Sequence, residues 1–341
     1  MRKLCQVPIV TLASLVLIVS CVPFAAKTAV ESLVVTVPIA ATPAWYPIYL
    51  ASAMGLFKEE GVDVTIIDGA GQNTMNIVVA GQADIGQLGP PGPLLASAQG
   101  KPMSIIYAPL GSGLAGNLVS RKNITALEQL SGKRVATTGV GSSVYGWAIQ
   151  LKRATGVNFD LVTFNDVPTL LAALQSGQVD GAVGSYDYYN ELIETAQVNV
   201  LIDLSKPADR AKYVLGQYPE GTTFGPPDRL KAKKESVVRF LRAYDRAMQM
   251  VTTGNTDDVV AKLKTAEQVR LIPEDKLKKY MLFDRQFYAP ERGFITRENW
   301  AVGLKQYELW GIPNFKGDDP AYSYEARVDM SYLEAAIDKQ R

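Results

Sequence analysis

Two units of similar sequence follow one another in the chain, and this repeat constrains the fold more than any other feature. Gly61 and Gly81 lie 20 residues apart, and Gly156 and Gly177 lie 21 residues apart. The second glycine of each pair begins a Gly-Gln-x-Asp sequence. Glycine is favoured directly after a helix because it adopts left-handed backbone angles without strain. The shared spacing predicts helix, strand, helix and strand in each unit; a chance match of two short sequences is the alternative.

The residues between these glycines predict the class of fold. Residues 62–67 and 161–164 are rich in β-forming apolar residues and carry few charges. Such segments are typical of parallel strands that are covered by helices on both faces. Residues 73–80 and 169–175 have the apolar pattern of helices. The simplest fold is α/β with two lobes, each an open, mainly parallel sheet flanked by helices.

The later part of the chain is predicted to be helical and mostly structural. Apolar residues recur there at helical spacing, and Thr296 is a suitable N-cap for the last helix. The predicted helices lie at residues 228–251, 256–267, 273–287 and 296–310.

Charge and composition exclude several classes of function. The chain has 35 basic and 34 acidic residues, so it has no net field that would attract nucleic acid. It contains no His, which excludes Ser-His-Asp hydrolase sites, HExxH zinc sites and His-carboxylate iron sites. We expect no cofactor, no metal and no catalytic residue.

The N-terminus has the pattern of an export signal. Arg2 and Lys3 precede an uncharged run at residues 4–26 with an apolar stretch at 9–19. Residues 18–21, Ile-Val-Ser-Cys, resemble a bacterial lipobox, so we expect a signal peptide at residues 1–20 and a lipid on Cys21. The protein would then be anchored in the periplasm or at the cell surface, held by more than one acyl chain. A transmembrane anchor and a chance cysteine are the alternatives.

Several sequence motifs, in this order, resemble one known family. They are residues 49–61, 81–86, 130–135, 141–143, 177–180 and 328–333. They resemble the periplasmic substrate-binding proteins of ABC importers, in the subgroup that serves nitrate, alkanesulfonates, taurine and thiamine-pyrimidine precursors. The resemblance implies a type II periplasmic-binding-protein fold with a two-strand hinge. We expect lobe 1 at residues 31–115 and 216–341 and lobe 2 at 116–215, with crossings near 109–119 and 204–217.

Ligand contacts are predicted in the loops that follow strands, because open α/β sheets bind ligands outside the carboxyl ends of their strands. The strongest candidate is the loop before a helix at residue 143, where free amide groups and the positive helix end would form an anion pocket and the serine hydroxyls would add donors. Asp187 is expected to bond a ligand amine, and the neighbouring tyrosines to stack on a ring. The candidate contacts are Trp45, Tyr46, Gln72, Asn73, Pro91, Gly141, Ser142, Ser143, Tyr145, Tyr186 and Asp187. Capping, turn formation and lobe packing are the alternative roles for these residues.

The resemblance implies a function in solute capture. A small organic solute, such as a sulfonate, a pyrimidine-like or an aromatic compound, would bind between the lobes, and an ABC transporter permease would recognise the closed form. These loops contain no Lys or Arg, which favours an organic ligand over an inorganic anion. We expect a monomer. The alternatives are a ligand-sensing surface lipoprotein and an enzyme like the eukaryotic thiamine-pyrimidine synthases, whose active-site histidine and cysteine-rich motif this sequence lacks.

Overall fold

Two five-stranded sheets form the framework of the protein. The structure, a computed structural model, describes residues 31–38, 43–69, 73–111, 116–289 and 291–337. Cys21, Gln72 and the predicted signal peptide lie outside the described residues. The strands are β1 (Glu31–Val37), β2 (Val62–Asp68), β3 (Ile85–Leu88), β4 (Ser104–Tyr107), β5 (Gly116–Arg121), β6 (Arg134–Thr138), β7 (Asp160–Phe164), β8 (Gly181–Ser185), β9 (Val198–Asp203) and β10 (Thr222–Gly225).

The two sheets have equivalent topology. The first has the order β2-β1-β3-β10-β4 and the second the order β7-β6-β8-β5-β9. In the first, β1 is parallel to β2 and β3, whereas β10 is antiparallel to β3 and β4. In the second, β6 is parallel to β7 and β8, whereas β5 is antiparallel to β8 and β9. In each sheet, therefore, four strands share a direction and the fifth is reversed.

Helices cover the faces of both sheets. They are α1 (Tyr46–Ala53), α2 (Leu56–Glu59), α3 (Asn73–Val79), α4 (Pro91–Ala98), α5 (Ser143–Thr155), α6 (Val167–Ser176), α7 (Tyr186–Glu194), α8 (Pro207–Tyr213), α9 (Pro227–Ala232), α10 (Lys234–Thr253), α11 (Thr256–Leu263), α12 (Glu274–Asp284), α13 (Arg297–Leu309), α14 (Tyr324–Arg327) and α15 (Ser331–Ile337). Short 3-10 turns lie at Pro43–Trp45, Leu127–Leu130, Arg285–Phe287 and Pro320–Tyr322.

The glycines of the repeat have the predicted backbone conformation. Gly61, Gly81, Gly156 and Gly177 all have positive φ angles, between 70° and 80°. The strands β2 and β3 of the first sheet correspond to β7 and β8 of the second. The repeat in the sequence is therefore a repeat of structure.

The long helical segment near residue 230 differs from the prediction. A single helix was expected at residues 228–251, but α9 and α10 are separated at Lys233, whose φ of −112° lies outside the helical range. The Lys233 ammonium bonds the Asp84 carboxylate at 2.8 Å and the Ser32 carbonyl at 3.1 Å. The break thus places a cation where it ties this helix pair to the first sheet. Beyond it, α10 packs its buried face on α1, α2 and α15.

Two crossing segments connect the sheets and pair with each other. The first follows β4 and the second, residues 204–221, precedes β10. Leu110 and Glu220 exchange backbone hydrogen bonds of 3.3 and 3.1 Å, and the Tyr218 amide donates to the Gly111 carbonyl at 2.8 Å. Pro207, which lies in the expected second crossing near residues 204–217, is in the first turn of α8. The backbone available for bending is therefore the antiparallel pair around residues 110 and 220.

The helix α13, in the C-terminal part of the chain, packs against α5, a helix beside the second sheet. Trp310 stacks at a tilt on Trp147, with ring centroids 5.5 Å apart, and its indole N–H donates to the Gln150 side-chain oxygen at 2.9 Å. Gly146 allows this approach, because a Cβ atom there would lie 2.6 Å from the Trp310 ring. The last 120 or so residues thus contact both halves of the molecule, a contact that the sequence did not predict.

Candidate functional site

A cavity of about 1010 Å³ lies between the two sheets. Its walls come from residues that follow β1, β3, β6, β7 and β8, together with the second crossing segment. This is the edge where open α/β sheets bind ligands. The volume is at the upper end of the range for small-molecule sites, about 300–1,000 Å³.

The loop before α5 contributes two serines with different roles. The Ser142 hydroxyl accepts a hydrogen bond from the Tyr145 amide at 3.1 Å and lies 2.7 Å from the Thr138 hydroxyl. Ser142 is thus the N-cap of α5. The neighbouring Ser143 hydroxyl donates to the Glu220 carboxylate instead. Both serines line the cavity, but it is the hydroxyl of Ser143 that bonds a carboxyl group of the wall.

Glu220 is the most deeply buried carboxyl group of the cavity wall, with only 2% of the residue exposed. Its Oε1 accepts from Ser143 and from the Gly221 amide, the latter at 3.2 Å. Among the residues that the structure describes, its Oε2 has no hydrogen-bond partner. Burial raises the pKa of Glu220 to about 7, although the bonds from Ser143 and Gly221 oppose the shift.

Gly89 allows the two halves of the cavity wall to meet. It follows β3 of the first sheet, whereas Ser143 belongs to the second. A Cβ atom at position 89 would lie 2.0 Å from the Ser143 hydroxyl oxygen and 3.2 Å from Oε1 of Glu220. Only a glycine fits here without moving the hydrogen-bonded pair.

Asp187 adds a second carboxyl group to the cavity wall. It lies in the first turn of α7 and lines the cavity. Burial raises its pKa to about 7, against the lowering effect of bonds from its own amide and that of Tyr188. Asp284, at the end of α12, is also buried, and its pKa is raised well above the ordinary value by burial and by the Asp187 charge. Two carboxyl groups from different halves of the molecule thus interact beside the cavity.

The structure brings five of the predicted contacts together at the cavity and places five elsewhere. Trp45, Asn73, Ser142, Ser143 and Asp187 line it. Tyr46 is fully buried behind the wall, and Tyr186 stacks on Phe283 with ring centroids 4.1 Å apart. Pro91, Gly141 and Tyr145 line a small separate pocket that also contains Trp310.

Several lining residues were not predicted. Glu220 lies in a crossing segment rather than a loop after a strand, and Tyr280 lies on α12, which was regarded as structural. Asp166 is the N-cap of α6 and accepts from the Thr169 amide at 2.7 Å. Its position directly after β7 was the available signal. Other unpredicted lining residues include Asn76, Gly89, Asn165, Leu171, Gln175 and Ile272, whereas Tyr188 is one of the tyrosines beside Asp187 that were expected to stack on a ligand ring.

The charge of the cavity wall has one sign. Asp166, Asp187 and Glu220 line it, and no Lys or Arg is found among the described lining residues. No group of three His, Cys, Asp or Glu side chains that would hold a metal ion occurs within the described ranges. In that same part of the chain, no helix is both long and apolar enough to cross a membrane.

Known proteins share this architecture. A protein of Bordetella bronchiseptica RB50 is 21% identical and covers 91% of this chain and 98% of its own, with a TM-score of 0.76. The periplasmic aliphatic sulphonate binding protein SsuA of Escherichia coli is 19% identical and covers 82% of this chain and 87% of its own, with a TM-score of 0.62. The predicted fold class is confirmed: the protein has the two-lobed periplasmic-binding-protein fold.

Sequence comparison identifies the family. The model of the NMT1/THI5-like family matches residues 42–254, so the chain belongs to this family. The taurine-binding periplasmic protein of Escherichia coli (strain K12) is 30% identical over 159 residues, which are 45% of this chain and 49% of that protein. A 4-amino-5-hydroxymethyl-2-methylpyrimidine phosphate synthase of Schizosaccharomyces pombe is 24% identical over 146 residues, 42% of each chain. The matched regions span 66% or less of the curated relatives' own lengths.

Proposed function

We propose that the protein is an extracytoplasmic solute-binding protein that captures a small organic solute between its two lobes and delivers it to an ABC transporter permease. The observation that carries this proposal is the cavity of about 1010 Å³ whose wall is shared by both sheets. Relatives named for taurine and sulphonate binding support the same class of function. We retain the lobe boundaries of the sequence prediction, 31–115 with 216–341 and 116–215, as part of the proposal.

Solute binding would act by stabilising the closed arrangement of the lobes. A solute that contacts Trp45 and Asn73 on one side and Ser143 and Asp187 on the other gains all of its contacts only when the lobes are together. A ligand shifts such an equilibrium by its differential affinity for the two forms. The paired crossing segments at Leu110 and Glu220 are the part of the backbone that absorbs the motion.

Closure is testable because residues 22–341 contain no Cys. Cysteines introduced at the exposed positions Lys58 and Lys122 place one label near each sheet. Pulsed spin-label distance measurements on residues 22–341 should show a shorter and narrower distribution when a stabilising solute is added. A second pair on two helices beside the first sheet, Lys58→Cys in α2 with Lys231→Cys in α9, should give the same distance distribution with and without solute. An unchanged distribution for both pairs with a solute of proven affinity contradicts the closure mechanism.

A binding role is favoured over catalysis by the chemistry of the cavity. The synthase relative raises the enzyme alternative, but the chain has no His, and the cavity lining contains neither Cys nor Lys among the described residues. A recovered solute that is chemically unchanged after binding supports the binding role. A sensor without a transporter is the other alternative, and it predicts that no permease subunit is cross-linked by the solute-loaded protein.

Export and lipid attachment at Cys21 complete the proposal. The sequence of residues 18–21 supports them, and Cys21→Ser should abolish lipid labelling and release the protein from the membrane fraction. Cys5→Ser, in the removed part of the leader, is the matched control and should leave both unchanged. Lipid labelling that persists in Cys21→Ser contradicts the assignment.

A further inference from the structure

Glu220, a residue of the cavity wall, has one carboxyl oxygen without a hydrogen bond. The residue is 2% exposed, its Oε1 is occupied by Ser143 and Gly221, and its Oε2 is buried and has no partner among the described residues. A buried carboxylate oxygen without a hydrogen bond is costly. Two backbone hydrogen bonds to Leu110 hold the main chain of Glu220 in place beside the cavity.

The surroundings of Glu220 supply no positive charge. The other charged residues that line the cavity are Asp166 and Asp187. The internal stretches that the structure does not describe, residues 39–42, 70–72, 112–115 and 290, contain no Lys, Arg, Asp or Glu in the sequence. An anionic solute would therefore meet three carboxyl groups and no cation. Ionised carboxylates would repel it, and this repulsion is stronger in a low dielectric than in water.

The wall also has apolar surfaces. Val144, Leu171, Ile272, Pro273 and Trp45 line it. These surfaces would cover a hydrocarbon or aromatic body, while polar groups fix its orientation. The cavity thus combines apolar surfaces with carboxyl groups in its wall.

Building on the proposed function, we infer that the solute is an organic cation: an ammonium or amidinium group that donates an N–H to the carboxylate of Glu220, attached to an apolar or aromatic body. Asp187, which also lines the cavity, provides the second carboxylate. The charge-assisted bond would satisfy the one unpaired atom of the Glu220 side chain and tie the solute directly to the backbone pair that connects the lobes. The named relatives bind solutes of different net charge: alkanesulfonates are anions, and taurine is a zwitterion whose ammonium group is balanced by a sulfonate.

The pH dependence of binding separates this inference from its opposite. The carboxyl groups of Glu220 and Asp187 have pKa values raised to about 7, so a cation should bind more tightly as the pH rises from 6 to 8. An anion that bonds protonated carboxyls should bind more tightly as the pH falls. Tyr307 of α13 interacts with Glu220, and burial raises its pKa so that it stays neutral in this range. Asp284 of α12 interacts with Asp187, and its pKa is raised well above the ordinary value by burial and by the Asp187 charge.

The test uses probes of matched shape and opposite charge on residues 22–341 of the protein, which contain both sheets and the core. Benzamidine is paired with benzoate, and benzylamine with phenylmethanesulfonate, in thermal-shift measurements at pH 8 followed by calorimetry. We expect stabilisation by the cations only, with an affinity that rises about tenfold from pH 6 to pH 8. Stabilisation by the anions, or by neither set, overturns the inference. Closure driven by an anion would overturn it while supporting the proposed function. A probe that binds with measured affinity but leaves the lobe distance unchanged would contradict the closure mechanism of the proposed function.

A variant identifies the group responsible. Glu220→Gln keeps the shape and removes the charge, and it should weaken cation binding about 10- to 100-fold, the range of a lost charge-assisted bond. Glu128→Gln, at an exposed position away from the cavity, is the control and should bind as the natural protein does. If Glu220→Gln fails to fold, Asp187→Asn replaces it, with the pH profile of the unaltered protein as the second measurement. Unchanged affinity in the folded Glu220→Gln variant overturns the inference.

Discussion

The hydroxyl of Ser143 donates a hydrogen bond to the carboxylate of Glu220, a residue 77 positions later in the chain. Ser143 begins a helix of the second sheet, whereas Glu220 lies in the backbone that returns from that sheet to the first. The bond therefore joins one wall of the cavity to the crossing segment. Because Gly89 of the first sheet lies against the same pair, three parts of the molecule meet at this point.

The two adjacent serines should respond differently to substitution. Ser142→Ala removes the N-cap of α5 and should lower the free energy of unfolding by about 1 kcal/mol, with the smaller effect on solute affinity. Ser143→Ala removes a donor from Glu220, so it should raise the pKa of that carboxyl further and weaken cation binding several-fold at pH 7. Denaturant unfolding and calorimetry on both variants measure the difference. Equal effects of the two substitutions on affinity would contradict these separate roles.

Gly89→Ala should disturb the cavity through one identified clash. The new methyl group would lie 2.0 Å from the Ser143 hydroxyl oxygen, so that hydroxyl must move away from Glu220. We expect a loss of about 1–3 kcal/mol in unfolding free energy, typical of overpacking. In the Ser143→Ala background the same substitution should cost less, because the oxygen in the clash is gone. A cost that is the same in both backgrounds would show that the clash lies elsewhere.

The stability of the solute-free protein should fall as the pH rises towards 8. Glu220 has an ordinary pKa of 4.5 and a folded-state pKa of about 7, so the folded protein holds the proton more tightly. Its contribution is therefore complete below about pH 4.5 and is lost as the pH rises through 7. The loss corresponds to roughly 3 kcal/mol at most. Asp187 and Asp284, whose pKa values are also raised, act in the same direction.

Thermal unfolding between pH 5 and pH 8 measures this dependence. Glu220→Gln should have a shallower profile, because the amide does not titrate, and Glu128→Gln should follow the natural protein. A profile that rises across this range, or one that Glu220→Gln leaves unchanged, would contradict the assignment of a raised pKa to Glu220.

Ion pairs between α7 and α12 should favour the arrangement with the lobes together. The Lys276 ammonium bonds Glu191 at 2.8 Å, and Lys279 pairs with Glu194. The helix α7 follows a strand of the second sheet, whereas α12 packs on α11, which packs on α1 of the first. Lys276→Gln with Lys279→Gln should lengthen the spin-label distance between positions 58 and 122, because it removes both of these exposed ion pairs.

Lys278→Gln is the matched control for these pairs. Lys278 lies on the same helix but bonds Asp257 and Glu274, both on its own side of the cavity. It should leave the distance unchanged. Added salt should reproduce the effect of the double substitution, since exposed pairs are screened. A distance that neither the double substitution nor salt alters would show that these pairs do not contribute to closure.

The fold could be predicted from the sequence because the sequence signals for its helices and strands are local. The repeat glycines, the β-rich runs and the helix caps each report on a few neighbouring residues, and these predicted the two α/β lobes. Thr296, for example, caps α13 as expected and accepts from the Asn299 amide at 3.1 Å. The break at Lys233 was missed because it depends on a bond to Asp84, 149 residues away in the chain.

The site was less accessible because its members are set by long-range contacts. The positions of Ser143 and Asp187 at the cavity could be predicted, because both follow strands whose ends meet at one edge of a sheet. Glu220 was not, because only its pairing with Leu110 places it in the cavity wall. Tyr186 was expected to face a ligand, but its ring stacks on Phe283 of α12, a helix whose position no local pattern reports.

The most direct test of the central claim is a crystal structure of residues 22–341 with the solute that stabilises the protein most in the matched panel. The account predicts electron density for one solute molecule between the two sheets, with its nitrogen within hydrogen-bonding distance of the Glu220 carboxylate. It also predicts contacts to residues from both sides, Asn73 and Ser143 among them. Solute bound outside this cavity, or in contact with only one sheet, would contradict the account.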